Sequence, residues 1–248
     1  FLEFLKNKVS ELIVATHFVI SCEHGGNRVP HTYQSIFRGF ESLLHSHRGY
    51  DFGALRMARE MARKLDATLF AATTSRLLVD LNRSIRHPNL FSEITRCLPD
   101  DTRREILARY YLPYRNRVEL AIAEAIRHGT RVIHISSHSF TPELDGQARK
   151  ADIGLLYDPS RPAERTLCQR WQAALKTKAP GLTVRRNYPY AGKADGFTTY
   201  LRRRFPADVY AGIELEINQK YILSRGTEWL ALRHSVLEAL DEIARIKN

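Results

Sequence analysis

The stretch SCEHGGNRVP, residues 21–30, follows directly on the apolar run Phe18-Val19-Ile20. A run of branched and aromatic residues reads as a buried strand. Its abrupt change to Glu23, His24, Gly25-Gly26 and Asn27 reads as a strand delivering polar side chains to the edge of a sheet, where chemistry is commonly placed.

Working outward, short segments rich in branched residues recur at His17–Cys22, Thr68–Ala72, Arg131–Ser137 and Val209–Ile217, with further strands expected at Ile153–Tyr157 and Leu182–Arg185. Stretches of helical period lie between them. Phe52–Leu65 places Phe52, Leu55, Met57, Ala58, Met61, Ala62 and Leu65 at helical spacing behind Asp51, a natural N-cap. Similar periods fit Asp101–Arg109, Val118–Arg127, Ala163–Lys176 and Glu228–Ile246. Alternating strand and helix predicts a three-layer α/β/α fold on a mixed, mostly parallel sheet, with ligands at the carboxyl ends of its strands. No repeat or linker breaks the chain, so one domain over residues 1–248 is expected.

The 248 residues are 44% hydrophobic, which suits a globular core, and the longest early apolar run, Leu12 to Cys22, is broken by Thr16 and His17. Neither a membrane span nor a signal peptide is expected, and the chain reads as cytoplasmic. Cys22, Cys97 and Cys168 are too scattered for a disulfide framework or a metal knuckle. The formal charge of +11 is spread along helices, with one tight cluster at Arg202-Arg203-Arg204. No nucleic-acid motif accompanies it, so it reads as solvated surface able to attract anionic small molecules.

Three strand ends carry polar residues: Glu23-His24-Gly25-Gly26-Asn27, Ser136-Ser137-His138-Ser139 and Glu214-Leu215-Glu216-Ile217-Asn218. Two histidines over a hundred residues apart, each closing an apolar strand, are what a zinc site on a sheet edge requires, and a distant glutamate would handle the proton of a water. His134 shares a strand face with His138 and reads either as a pocket residue or as a satisfied core histidine. Cys22 reads as a small buried hydrophobe or, less well, as a nucleophile. In Val79-Asp80-Leu81-Asn82-Arg83, Arg83 reads as a two-point clamp on a substrate carboxylate with Asn82 as a further donor, or as a loop residue paired with Asp80.

Five motifs, ISCEHGGNRVP, YDFGA (residues 50–54), SRLLVDLNRS, SSHSFTP (residues 136–142) and IELEIN, resemble in that order the N-formylglutamate amidohydrolase family, over about residues 18–220. That family is related to zinc carboxypeptidases and aspartoacylases, and the resemblance implies a zinc carboxypeptidase-like fold and Zn2+ as cofactor. It implies His24 and His138 as metal ligands, Asn82 and Arg83 as the carboxylate clamp, and Glu214 as the catalytic carboxylate, with a small anionic acyl-amino acid as substrate. Where the relatives have a glutamate three residues after the first histidine, this chain has Asn27. Asp51 is the candidate third ligand, Glu23 ranks behind it, and Asn27 is left to the substrate side of the site. Glu216, on the same strand face as Glu214, is expected to orient a neighbour or substrate. The loop from Asn187 to Thr198 reads as a lid or as a structural loop. The expected reaction is hydrolysis of N-formyl-L-glutamate to formate and glutamate. The alternatives are another acyl-amino acid, a peptidoglycan-like amide, or noncatalytic binding of anions or nucleic acid on the same scaffold.

Overall fold

A computed structural model describes residues 15–224 and 226–245. The start of the Leu12 to Cys22 run and Ile246 lie outside the described residues. Six strands form one sheet: β1 (Thr16–Cys22), β2 (Thr68–Ala71), β3 (Arg131–Phe140), β6 (Ile153–Leu156), β7 (Val184–Arg186) and β8 (Tyr210–Asn218), with a small separate hairpin of β4 (Glu143–Leu144) and β5 (Gln147–Ala148). The order is β2-β1-β3-β8-β6-β7, and β6 runs antiparallel to β8 while the other neighbours are parallel. The α-helices longer than four residues among the described residues are α1 (Ala54–Leu65), α2 (Asp100–Ile106), α3 (Leu112–Arg127), α4 (Pro162–Lys178), α5 (Phe197–Arg204) and α6 (Glu228–Arg245). A π-helical turn, Leu107–Tyr111, joins α2 to α3.

Two cores cover the two faces of the sheet, as the alternation of strand and helix requires. On one, Met57 and Met61 of α1, Trp171 and Leu175 of α4 and Val236 and Leu240 of α6 pack on Ile20, Ile135 and Ile213. On the other, Ile106, Tyr114, Val118 and Ile122 from α2 and α3, with Phe197 and Leu201 of α5, pack on Val19, Val132 and Tyr210. Cys22 belongs to the first core, and burial pushes its thiol well up, so it is no nucleophile.

The register places like chemistry in rows. Val19, His134 and Gly212 are in line across β1, β3 and β8; so are Ser21, Ser136 and Glu214; one step nearer the carboxyl edge, His138 lies beside Glu216. The lowest row is structural. His134 is fully buried between the Ser21 hydroxyl at 2.7 Å and the Tyr210 hydroxyl at 2.9 Å, a satisfied core histidine.

Two sequence expectations are corrected. Asp51 does not cap α1: the capping position is Gly53, in the left-handed region at φ 74°, where a Cβ would come within 2.7 Å of Ile222. The cluster at Arg202-Arg203-Arg204 is the end of helix α5, and Arg202 is no surface charge. Its guanidinium is buried against Glu164 at 3.0 and 3.1 Å and donates to the carbonyls of Gly192 and Gly212. This pair joins α4, α5 and β8, and removing one partner of a buried ion pair strands the other. Arg202→Met is expected to lower the unfolding free energy by about 3–5 kcal/mol in urea denaturation. A loss below about 1 kcal/mol would show that Glu164 finds other partners.

Candidate metal centre

The Gly25-Gly26 pair of the opening motif is a packing device. A Cβ on Gly25 would lie 2.8 Å from the Ala72 carbonyl, and one on Gly26 would lie 2.7 Å from that of Thr73. With both glycines, the chain leaving β1 runs against the chain leaving β2, through the Gly25 and Arg28 amides bonded to those carbonyls. His24 is thereby held at the sheet edge, and its own carbonyl accepts the Asp51 amide at 2.9 Å. Ser137 and Ser139 of β3 donate to the carbonyls of Ala54 and Phe52, fixing the start of α1 beside His138.

These anchors bring His24, Asp51 and His138 together, all buried, with one ligand atom of each within 4.8 Å of the others. Asp51 Oδ2 is 3.4 Å from His24 Nδ1 and 2.9 Å from His138 Nδ1. The outer nitrogens are both taken. His24 Nε2 is 2.7 Å from Asp80 Oδ1. His138 Nε2 is 2.8 Å from the Ser136 hydroxyl, which donates to Glu23 at 2.5 Å, and it is 3.2 Å from Glu23 itself. His24 Nδ1 is buried without a hydrogen-bond partner, a costly arrangement unless something else engages it. Two imidazole nitrogens and a carboxylate oxygen converging, with the outer nitrogens backed by acceptors, fit the donor set of a divalent transition metal. This group could bind a metal ion.

The electrostatics follow from burial and pairing. Burial alone would raise Asp51, but His24 and His138 hold it well below the usual carboxylate range. Glu23, also buried, is lowered by hydrogen bonds from His138 and Ser136. Asp80 is held low by Arg76, whose guanidinium lies 2.7 Å from Asp80 and 3.4 Å from Asp51. His138 is raised despite its burial, through Asp51 and Glu23.

A cavity of about 200 Å³ opens over this group, and Arg76, Asn82, Arg83, Tyr190, Asp195, Glu214 and Glu216 share its lining. Arg83 donates to the Asp195 carbonyl at 2.8 Å, while its own carbonyl accepts the Tyr111 hydroxyl at 2.7 Å. Arg115, over the rings of Phe197 and Tyr200, donates to the Leu81 carbonyl, so the Leu81–Arg83 backbone is held from α3. Asn82 accepts the Phe197 amide through Oδ1. Glu214 accepts the Thr198 hydroxyl at 2.7 Å, and one oxygen of Glu216 is buried and unpartnered. Burial pushes Glu216 up to about 8 against the pull of His138, aided by the charges of Asp51 and Glu214.

Asn27 is not among the residues lining the cavity. Glu23 faces the outer nitrogen of His138, away from where the two Nδ1 atoms meet. Asp80 pairs with Arg76, four residues before it in the turn after Ser75, and not with the Arg83 side chain. Sequence reasoning missed the backing roles of Asp80, Ser136 and Glu23. The signal for Asp80 was present, a carboxylate two residues before the Asn82-Arg83 pair. The segment from Asn187 lines the cavity through Tyr190 to Asp195 and passes into α5 at Phe197.

An α/β sheet with a buried two-histidine, one-carboxylate group at the carboxyl edge of its parallel strands defines a candidate metal-binding protein. Residues 16–223 match the sequence model described as N-formylglutamate amidohydrolase, and the chain belongs to that family. It is similar to the gene product Atu2144 from Agrobacterium tumefaciens at 32% identity and a TM-score of 0.73, over 93% of this chain and 92% of that one. It also resembles N-formylglutamate amidohydrolase from Ralstonia eutropha JMP134 in fold, at 20% identity and a TM-score of 0.69, over 94% of each chain. No curated protein sequence matches.

Two outcomes test the centre. Asp80→Asn is expected to weaken metal affinity about 10–100-fold, measured by chelator competition, because the carboxylate that backs the His24 ring becomes a neutral amide, a weaker acceptor that no longer raises the basicity of the imidazole. Unchanged affinity would contradict that role. Because His138 holds its proton to unusually high pH, a metal at its Nδ1 must displace that proton, so affinity is expected to fall as pH is lowered from about 8 to about 6. A flat profile would remove His138 from the ligand set.

Proposed function

We propose that the protein is a zinc-dependent amidohydrolase of a small N-acyl amino acid, with N-formyl-L-glutamate, the substrate in the family's name, as the reference compound. The observation that carries this reading is the convergence of His24, His138 and Asp51 beneath a cavity that also holds Arg83 and two glutamates. Two imidazoles and a carboxylate suit zinc. Bound there, the ion would supply a Lewis acid for the amide carbonyl and lower the pKa of a water.

The chain's own residues supply the rest. Arg83, with its backbone fixed by Tyr111 and Arg115, presents a planar guanidinium to a substrate carboxylate, and the Asn82 amide nitrogen adds a donor. Proton transfer needs a carboxylate near the reacting carbon with a free oxygen and a pKa near working pH. The sequence favoured Glu214, but Glu216 answers this description better. It lies beside His138 in the sheet register, its buried oxygen has no partner, and its pKa is about 8. Glu216 takes a proton from the attacking water and returns it to the leaving nitrogen as the carbon–nitrogen bond breaks. Glu214 lies one row deeper and is engaged by Thr198.

Glu216→Gln is expected to retain metal while turnover of N-formyl-L-glutamate or a related acyl-amino acid falls about 10²–10⁴-fold. If Glu214→Gln has that effect and Glu216→Gln does not, the proton-transfer role belongs to Glu214. If the metal-loaded wild type cleaves no acyl-amino acid, the hydrolase reading fails.

A further inference from the structure

Arg28 belongs to the opening motif of the sequence, yet its side chain lines no part of the metal cavity. It faces a second cavity of about 190 Å³, on which Arg28, Arg109 and Arg117 converge with Thr73, Thr74 and Tyr110. The two cavities share no lining residue.

Among the described residues no carboxylate lines the second cavity. Two acids border it. Glu105 pairs with Arg109 at 3.0 Å on the exposed surface. Glu23 lies behind the wall, 3.0 Å from the Tyr114 hydroxyl, and is already balanced by His138 at 3.2 Å. Arg117 donates through Nε to the Pro113 carbonyl of its own helix, and neither it nor Arg28 has a carboxylate partner among the described residues. Three guanidinium groups around one small space repel one another, and an anion between them relieves that repulsion.

The walls are fixed by the fold. The Arg28 backbone is bonded on both sides to the segment after β2, its amide to the Thr73 carbonyl at 3.0 Å and its carbonyl to the Ser75 amide at 2.9 Å. Arg109 and Tyr110 sit in the π-helical turn Leu107–Tyr111, an irregularity that recurs at functional sites. The Tyr110 ring packs edge-on against Tyr33, with centroids 6.1 Å apart. Tyr114, also in the wall, is held 3.0 Å from Glu23 and 3.2 Å from the Phe70 carbonyl. Donors on so fixed a frame bind at lower entropic cost.

We infer that this cavity is a binding site for a phosphate dianion, free or as the monoester of a small molecule, separate from the metal centre and independent of the amidohydrolase reading. Planar guanidinium groups offer paired N–H donors to the phosphate oxygens, and the hydroxyls of Thr73, Thr74 and Tyr110 add neutral ones. Pro113 and the Tyr110 ring give an organic substituent an apolar wall. A nucleic-acid strand requires instead an open groove with successive stacking platforms.

The test is calorimetric titration of the protein with inorganic phosphate and with phenyl phosphate at physiological ionic strength. A dissociation constant below about 1 mM is expected for at least one of them, and the tighter of the two tells whether the free ion or an ester is the ligand. The three arginines are exposed, so substituting them leaves the fold intact. Arg28→Gln and Arg117→Gln should each weaken binding at least about tenfold. Arg203→Gln, the same charge change outside the cavity, should leave binding unchanged, and so should removal of metal by chelation. Equal weakening by Arg203→Gln would reduce the binding to diffuse charge attraction. Loss on chelation, with both cavity variants unaffected, would place the phosphate on the metal. A salt-sensitive preference for a single-stranded oligonucleotide over both phosphates would make the surface a nucleic-acid face. Each of these results overturns the inference, as does the absence of binding up to about 10 mM of either phosphate.

Discussion

The hydrogen bonds on the outer nitrogens of His24 and His138 are the interactions on which the site depends. Asp80 takes the Nε2 of one ring, and the Ser136–Glu23 pair takes that of the other. An imidazole held in this way has its orientation fixed and its other nitrogen directed inward, and here both Nδ1 atoms are directed toward the Asp51 carboxylate. Glu23 and Asp80 are themselves buried acids, tolerable because each is hydrogen-bonded and, for Asp80, because Arg76 balances its charge. The polar cluster is thus a closed network in which each member satisfies another, with the unpartnered His24 Nδ1 and Glu216 oxygen left at its inner surface.

The sheet makes the network possible through register. With β1, β3 and β8 parallel, their carboxyl ends reach the same edge, and period-two alternation puts Ser136, His138, Glu214 and Glu216 on one face. A one-residue slip of β8 against β3 would turn Glu214 and Glu216 into the opposite core, beside Ile135, and lift Ile213 and Leu215 out of it. The rows below the site, with Ser21, His134 and Tyr210 bonded together, lock that register with polar contacts that only one alignment satisfies.

The six strands of the sheet and most of the helices were legible in the sequence because each carries an apolar run of the right period. Helix α5 was not. Phe197 and Leu201 are its apolar contacts with the core, while Thr198 and Arg202 are buried through hydrogen bonds to Glu214 and Glu164, pairings that hydropathy cannot register. Its arginine-rich end therefore looked like exposed charge. His24 and His138 were legible as polar residues closing apolar strands. Asp51 was ambiguous because an acid before a helix serves equally as a cap or as a ligand, and Phe52 and the left-handed Gly53 separate it from the helix start. The alternative pairing of Asp80 with Arg83 rested on sequence proximity alone, whereas the turn after Ser75 brings in Arg76. The choice between Glu214 and Glu216 cannot be read from a strand motif. It depends on which residues the fold places opposite it.

The central claim, that the backed imidazoles meet at a metal through their Nδ1 atoms, is tested most directly by a crystal structure of the zinc-loaded protein with data collected at the zinc absorption edge. The account predicts one strong anomalous peak at bonding distance, about 2 Å, from His24 Nδ1, His138 Nδ1 and an Asp51 oxygen. A peak on the Nε2 side of either ring, against Glu23 or Asp80, or no peak at these residues, would contradict it.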